Sequence, residues 1–206
     1  MAGWRTHRGT ALRLPMDNLD TDQLIPARFM SAPRADGYGR FLMHDLRRDA
    51  QGAPHPDFPL NRHEDVCVLV VGRNFGSGSS REAAVYALVD AGIRAVVGPS
   101  FGDIFAANAV NNGLLPGRVS EAEAQSLAEI LQDDPQPVDI DLSAGWISLA
   151  GQRIPFQLDE SWRTKLINGW DDIDLTLQHQ SAIASFRDAH VKSMPGALPA
   201  KQINAP

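Results

Sequence analysis

A continuous apolar run, Val66-Cys67-Val68-Leu69-Val70-Val71, passes directly into Gly72-Arg73-Asn74-Phe75-Gly76-Ser77-Gly78-Ser79-Ser80-Arg81-Glu82. A strand with no polar alternation has to be covered on both faces. The next stretch places Ala84, Ala87, Leu88 and Ala91 at i, i+3, i+4 and i+7, one stripe of a helix. Gly92 suits the left-handed residue that ends such a helix. Arg94-Ala95-Val96-Val97-Gly98 then reads as a second strand. The order strand, glycine-rich turn, helix, strand predicts an α/β fold with a parallel crossover. Segments 66–71 and 94–98 should lie side by side, with a helix over 80–91 packed across them.

The flanking sequence extends this unit. Thr10 to Leu14 alternates and reads as a strand ending at Pro15. Ser100 to Val110 is a short helix candidate, and Gly113-Leu114-Leu115 leads into another strand. Ser120 followed by Glu123 is a capping box, heading a helix to about residue 132. Val138 to Leu142 and Trp146 to Leu149 read as a hairpin, with 153–156 as a further strand. Asp159 caps a helix that Gly169 ends. Residues 31–63 carry four prolines and three glycines. They read as a long irregular loop, of the kind that is functional or mobile. The expected organisation is one domain over 1–190 followed by a disordered tail over 191–206.

Composition excludes several classes. A formal net charge of −6 argues against a broad basic face for nucleic acid. No apolar stretch reaches the ~18 residues of a membrane span. Met1 to Arg8 has no apolar core of a signal peptide. Cys67 is the one cysteine, so no intrachain disulfide forms, and the chain is expected in the cytoplasm. A single thiolate cannot hold an iron–sulfur cluster, which takes about three or four ligands. The six histidines show no metal-binding spacing. No metal site on this chain is expected.

The glycine-rich turn carries the candidate chemistry. The first turn of a helix has unpaired N–H groups at the positive end of its dipole and attracts anions. Arg81 can grip a carboxylate through a two-pronged bond, and a serine beside it could act on the molecule bearing that carboxylate. The plainer alternative is that Ser79 or Ser80 caps the helix, worth ~1 kcal/mol, with Arg81 solvated. The turn is neither a dinucleotide fingerprint nor a phosphate-binding loop, because Arg81 stands at the third glycine position and no Gly-Lys-Ser/Thr follows.

Four blocks in order resemble one family. They are Asn18-Leu19-Asp20-Thr21-Asp22-Gln23-Leu24-Ile25-Pro26, the Asn74 to Glu82 turn, Pro99 to Pro116, and Asp174 to His179. The chain resembles the swivelling domain of the aconitase superfamily, and most closely the small subunits of 3-isopropylmalate dehydratase. That resemblance implies a β/β/α layered swivelling domain as in the aconitase C-terminal domain. It implies a hydro-lyase of leucine biosynthesis that interconverts 2- and 3-isopropylmalate by dehydration and rehydration. It further implies a large-subunit partner that carries a [4Fe–4S] cluster, with no cofactor bound by this chain. By the same resemblance, Ser79 is the catalytic base, Ser80 supports it, Asp22 is an active-site acid and Arg81 clamps a substrate carboxylate. Arg34 lies on the loop where the family places a substrate-selecting arginine, and Arg40 is its rival. The chain departs from the family at Ala83, usually His, and at Val85-Tyr86, usually Pro-Trp. Those departures leave open a paralogous hydratase for another branched hydroxy acid. A non-catalytic anion-binding module is the third reading, and the joint presence of Ser79, Ser80, Arg81 and Asp22 speaks against it.

Overall fold

The structure is a computed structural model that describes residues 2–63, 65–132 and 134–194. In chain order its regular elements are β1 (Thr6–Leu14), α1 (Thr21–Leu24), α2 (His44–Arg47), α3 (Pro59–Arg62), β2 (Val66–Val71), α4 (Glu82–Asp90), β3 (Ala95–Gly98), α5 (Asp103–Asn111), β4 (Leu115–Arg118), α6 (Glu121–Leu131), β5 (Gln136–Asp141), β6 (Trp146–Leu149), β7 (Gln152–Pro155), α7 (Glu160–Asn168), α8 (Asp172–Leu177) and α9 (Gln180–Ser193). By internal contacts the chain divides into one unit ending at Trp170 and another beginning at Asp171.

The first unit is built on one mixed sheet ordered β4-β3-β2-β1-β5-β6-β7. Strands β1 to β4 pair in parallel, with Val68 opposite Ala95 and Val70 opposite Val97, as the apolar run and its helix predict. The β5–β6–β7 meander is antiparallel and joins through β1. Both faces of β2 are covered. Leu69 and Val71 enter a core with Ala84, Ala87 and Leu88 of α4, whereas Val68 and Val70 enter a second core with Leu127 and Leu131 of α6. This is why β2 shows no polar alternation. Burying a side chain of this size stabilises by roughly 1.5–3 kcal/mol, so the two cores fix the sheet from both sides. The capping box of α6 forms as expected: Ser120 Oγ accepts from the Glu123 N–H, and the Glu123 carboxylate accepts from the Ser120 N–H.

Several elements differ from expectation. Strand β1 starts at Thr6 rather than Thr10, because Thr6 to Ala11 pairs with β5 across 131 residues of chain at Arg8–Asp139. A long-range partner, not local pattern, makes that half of the strand. The 31–63 segment is not structureless. It holds single helical turns at 34–36 and 39–41 as well as α2 and α3. Asp90, on the last turn of α4, ties it down by accepting the Tyr38 N–H at 2.6 Å and two bonds from Arg34. Helix α9 was not legible at all and runs three residues, to Ser193, into the stretch expected to be a disordered tail. It buries none of its residues and exposes Ile183, Phe186 and Val191, so it carries no core-facing pattern to read. Residues 195–206 of the expected tail lie outside the described residues.

His7 supplies a pH test of the fold. Its Nε2 is buried with no hydrogen-bond partner. Burial, and then the charge of Arg94, push its pKa below the usual histidine value. The unfolded chain therefore takes up the proton more readily than the folded one. The contribution of neutral His7 is intact above the ordinary value near 6.5 and is lost as pH falls below it. His7→Phe should flatten the decline in melting temperature between about pH 7 and pH 5. An unchanged slope would show that other groups set it.

Candidate active site

Two loops from the carboxyl ends of the neighbouring parallel strands β1 and β2 build the site. Asn18 and Asn74 both take left-handed backbone, with φ of 56° each, and the Asn74 amide donates to Asn18 Oδ1 at 3.0 Å. Asparagine tolerates that conformation better than most side chains. The backbones are then stitched together: Asn18 N–H to Arg73 O at 2.7 Å, Gly76 N–H to Leu19 O at 2.7 Å, and Thr21 N–H to Ser77 O at 2.9 Å. Beneath the turn, Phe75, Phe101 and Phe105 are buried against one another, with Phe75 edge-on to Phe105 at 5.4 Å. Gly76, at φ +71°, sits on this aromatic floor, and a Cβ there would lie 2.2 Å from a Phe105 ring carbon.

The three acids of the first loop do different jobs. Asp17 accepts the Arg73 N–H at 2.8 Å, and Asp20 caps α1 with Gln23 in a reciprocal box, so these two are turn chemistry. Asp22, in the first turn of α1, instead forms an ion pair with Arg81. Its carboxylate is about half exposed and the Arg81 guanidinium largely shielded. Water reaches the Asp22 end and screens the pair to about 1 kcal/mol, so an incoming carboxylate can replace Asp22 on Arg81 at small cost. Ser79 and Ser80 are exposed beside it.

The serines do not cap α4. Arg81 occupies the N-cap position with extended backbone, and no side chain bonds the first-turn N–H groups. The capping alternative is therefore corrected: both hydroxyls stand free of that work. The structure brings Asp22, Ser79, Ser80 and Arg81 together but not Arg34. Arg34 grips Asp90 with both terminal nitrogens and lies over the Tyr86 ring at 4.4 Å, at the far end of α4. Asp90 lies eight helical steps beyond Glu82, about 12 Å at the usual rise. Arg40 lies over Phe41 at 4.6 Å. The departures Ala83 and Val85 point into the core and so alter packing, whereas half-buried Tyr86 meets Arg34. Sequence reasoning passed over Thr21, which is 2% exposed and donates its hydroxyl to the Ser79 carbonyl at 2.9 Å. Its only signal was a polar residue between two acids whose neighbours face water.

The roomiest cavity described, about 680 Å³, lies elsewhere, between the ends of β1 and β2 and α6. It includes neither Ser79 nor Arg81, and two of its charges, Arg73 and Glu121, neutralise each other at 2.5 Å. The serine–arginine turn is instead an open surface. A cluster does not fit this chain. Cys67 is half-buried and its thiol is pushed up by burial, away from the thiolate that ligation needs. Among the described residues no group of three or more His, Cys, Asp or Glu side chains is placed to hold a metal. No helix among them is long and apolar enough to cross a membrane.

A mixed sheet with this serine–arginine turn defines a domain of the aconitase C-terminal type, and that family matches residues 1–122. The chain is 42% identical over 184 residues to the 3-isopropylmalate dehydratase small subunit of Shouchella clausii, covering 88% of this chain and 93% of that protein. It is 44% identical over 192 residues to the protein of the same name from Shewanella sp. strain W3-18-1, covering 90% and 96%. The crystal structure of 3-isopropylmalate dehydratase from Methanocaldococcus jannaschii superposes with a TM-score of 0.62 at 29% identity, covering 88% of this chain and 99% of that one. The chain belongs to the family of 3-isopropylmalate dehydratase small subunits.

Proposed function

We propose that this chain is the small subunit of a cytoplasmic hydro-lyase that interconverts 2- and 3-isopropylmalate in leucine biosynthesis. The observation that carries the reading is the convergence of Asp22, Ser79, Ser80 and Arg81 on one open face, in a chain whose relatives bear that enzyme's name. Removing water from a hydroxy acid needs a base for the proton beside a carboxylate and a Lewis acid for the departing hydroxyl. This chain supplies the first. Ser79 takes and returns the proton, which a serine can do only where preorganised donors stabilise its anion in a site closed to water. The open start of α4 and Arg81 are those donors, and Ser80 adds a hydrogen bond. Arg81 exchanges Asp22 for a substrate carboxylate, and Asp22 holds the guanidinium in place between turnovers. The Lewis acid is the [4Fe–4S] cluster of the large subunit, and closure of that subunit over the open face excludes water. Arg34 is a second substrate contact once its loop releases Asp90.

The test is co-purification with the large subunit under anaerobic conditions, followed by assay on a panel of substituted malates. The expected result is preference for 3-isopropylmalate by the pair and no turnover by this chain alone. Preference for another malate would establish the paralogous hydratase, with Tyr86 and Arg34 as the first residues to exchange. Turnover or stoichiometric iron in the isolated chain would overturn the division of labour.

A further inference from the structure

We infer that Thr21 is the positioning residue for the serine base, holding the Ser79 backbone at the height the reaction needs. The inference rests on the reading of Ser79 as that base. Thr21 is the first residue of α1 and is buried, although both acids beside it reach toward solvent. It makes two bonds to the opposite loop: its N–H donates to Ser77 O at 2.9 Å, and its hydroxyl donates to Ser79 O at 2.9 Å. A lone bridge pairs Asp20 with Ser77 just before it.

The second bond has no substitute. Among the described residues it is the one hydrogen bond reaching the backbone between Gly78 and Ser80. Upstream, Ser77 is held to α1; downstream, Arg81 O accepts the Ala84 N–H at 3.1 Å. Between these anchors the chain runs through Gly78 at φ +89°, a residue with little conformational preference of its own. Without the Thr21 hydroxyl, the Gly78–Ser80 segment is free to shift between its anchors. Such a shift moves the Ser79 Cα and its side chain with it. A misplacement of about 1 Å at a reacting group costs ~100-fold in rate. Because Thr21 sits one residue before Asp22, the same short helix sets the base and the partner of the carboxylate clamp.

The experiment compares Thr21→Val, Thr21→Ala and Thr21→Ser in the assembled two-subunit enzyme, with Ser79→Ala beside them. Valine keeps the volume and loses the hydroxyl, alanine loses both, and serine keeps the hydroxyl. If Thr21 positions the base, kcat falls at least 10-fold in both Thr21→Val and Thr21→Ala, by similar factors despite different melting temperatures. KM stays within a few-fold, and Thr21→Ser returns kcat to within about 3-fold of the parent. A kcat that follows melting temperature across the series, or one within 2-fold of the parent in Thr21→Val, overturns the inference. Ser79→Ala separates the two readings. If it collapses turnover while Thr21→Val does not, the base stands and the positioning role falls. If Ser79→Ala turns over normally, the base assignment itself has failed.

Discussion

Ser79→Ala in the assembled enzyme should lower turnover by about 10²–10⁴-fold, the usual worth of a positioned base, while substrate affinity changes by no more than a few-fold. A base works in the transition state, so under the proposed role its loss should show in kcat and not in binding. Folding should be untouched. Ser79 is exposed and α4 is not capped by its side chain, so the ~1 kcal/mol of a lost cap does not apply. Arg81→Lys should fail differently. Lysine keeps the charge but loses the planar fork, and a charge-assisted bond is worth about 1.5–3 kcal/mol. The loss should appear as a weaker KM as well as a lower kcat. Steady-state kinetics beside a thermal melt distinguishes the two. Near-normal turnover in Ser79→Ala would falsify its assignment as base.

Gly76→Ala should be the most damaging single-methyl change in the site. Two costs add. The residue sits at φ +71°, where an L side chain loses ~1–2 kcal/mol. The new Cβ would also lie 2.2–2.7 Å from three Phe105 ring atoms, and overpacking of that kind costs ~1–3 kcal/mol. Together they should take about 2–5 kcal/mol from stability, or roughly 5–20 °C of melting temperature for a chain this long. Gly78→Ala is the control. It has φ of +89°, but its Cβ would meet Asp20 Cβ at 3.5 Å, an ordinary contact, so only the conformational cost remains. Equal melts for the two variants would show that the aromatic floor yields to the methyl group.

What the sequence revealed depended on how local the cause was. The β2–α4–β3 unit was legible because its determinants are short-range: an apolar run of six, a helical stripe, and Gly92 as the stop. The capping box at Ser120 and the left-handed Gly169 after α7 were legible for the same reason. The N-terminal half of β1 was not, because its partner lies in β5. In the site, residue types and order pointed to the serines and Arg81 of the turn, and the family resemblance added Asp22. They could not show that Asp22 pairs with Arg81, since 59 residues separate them. Nor could they show that Arg34 is engaged by Asp90, because a lone carboxylate at a helix end has no distinctive pattern. Thr21 escaped notice because burial of a short helix is decided by what packs on it.

The stitching of residues 17–22 to residues 73–81 also sets when the site can exist during folding. None of its cross-loop bonds joins residues fewer than 55 apart, so no local fragment can preform it. Loop closure over such a span is entropically costly before any contact rewards it. The parallel pairing of β1 with β2 brings the two loops within reach, and parallel pairings of this separation form slowly. The serine–arginine turn should therefore be among the last features to acquire native structure. A refolding chain would form α6 and the β5–β6 hairpin before the two loops meet. Pulse-labelled hydrogen exchange during refolding should show protection of the Thr21 and Gly76 amides lagging that of α6 and the β5–β6 hairpin.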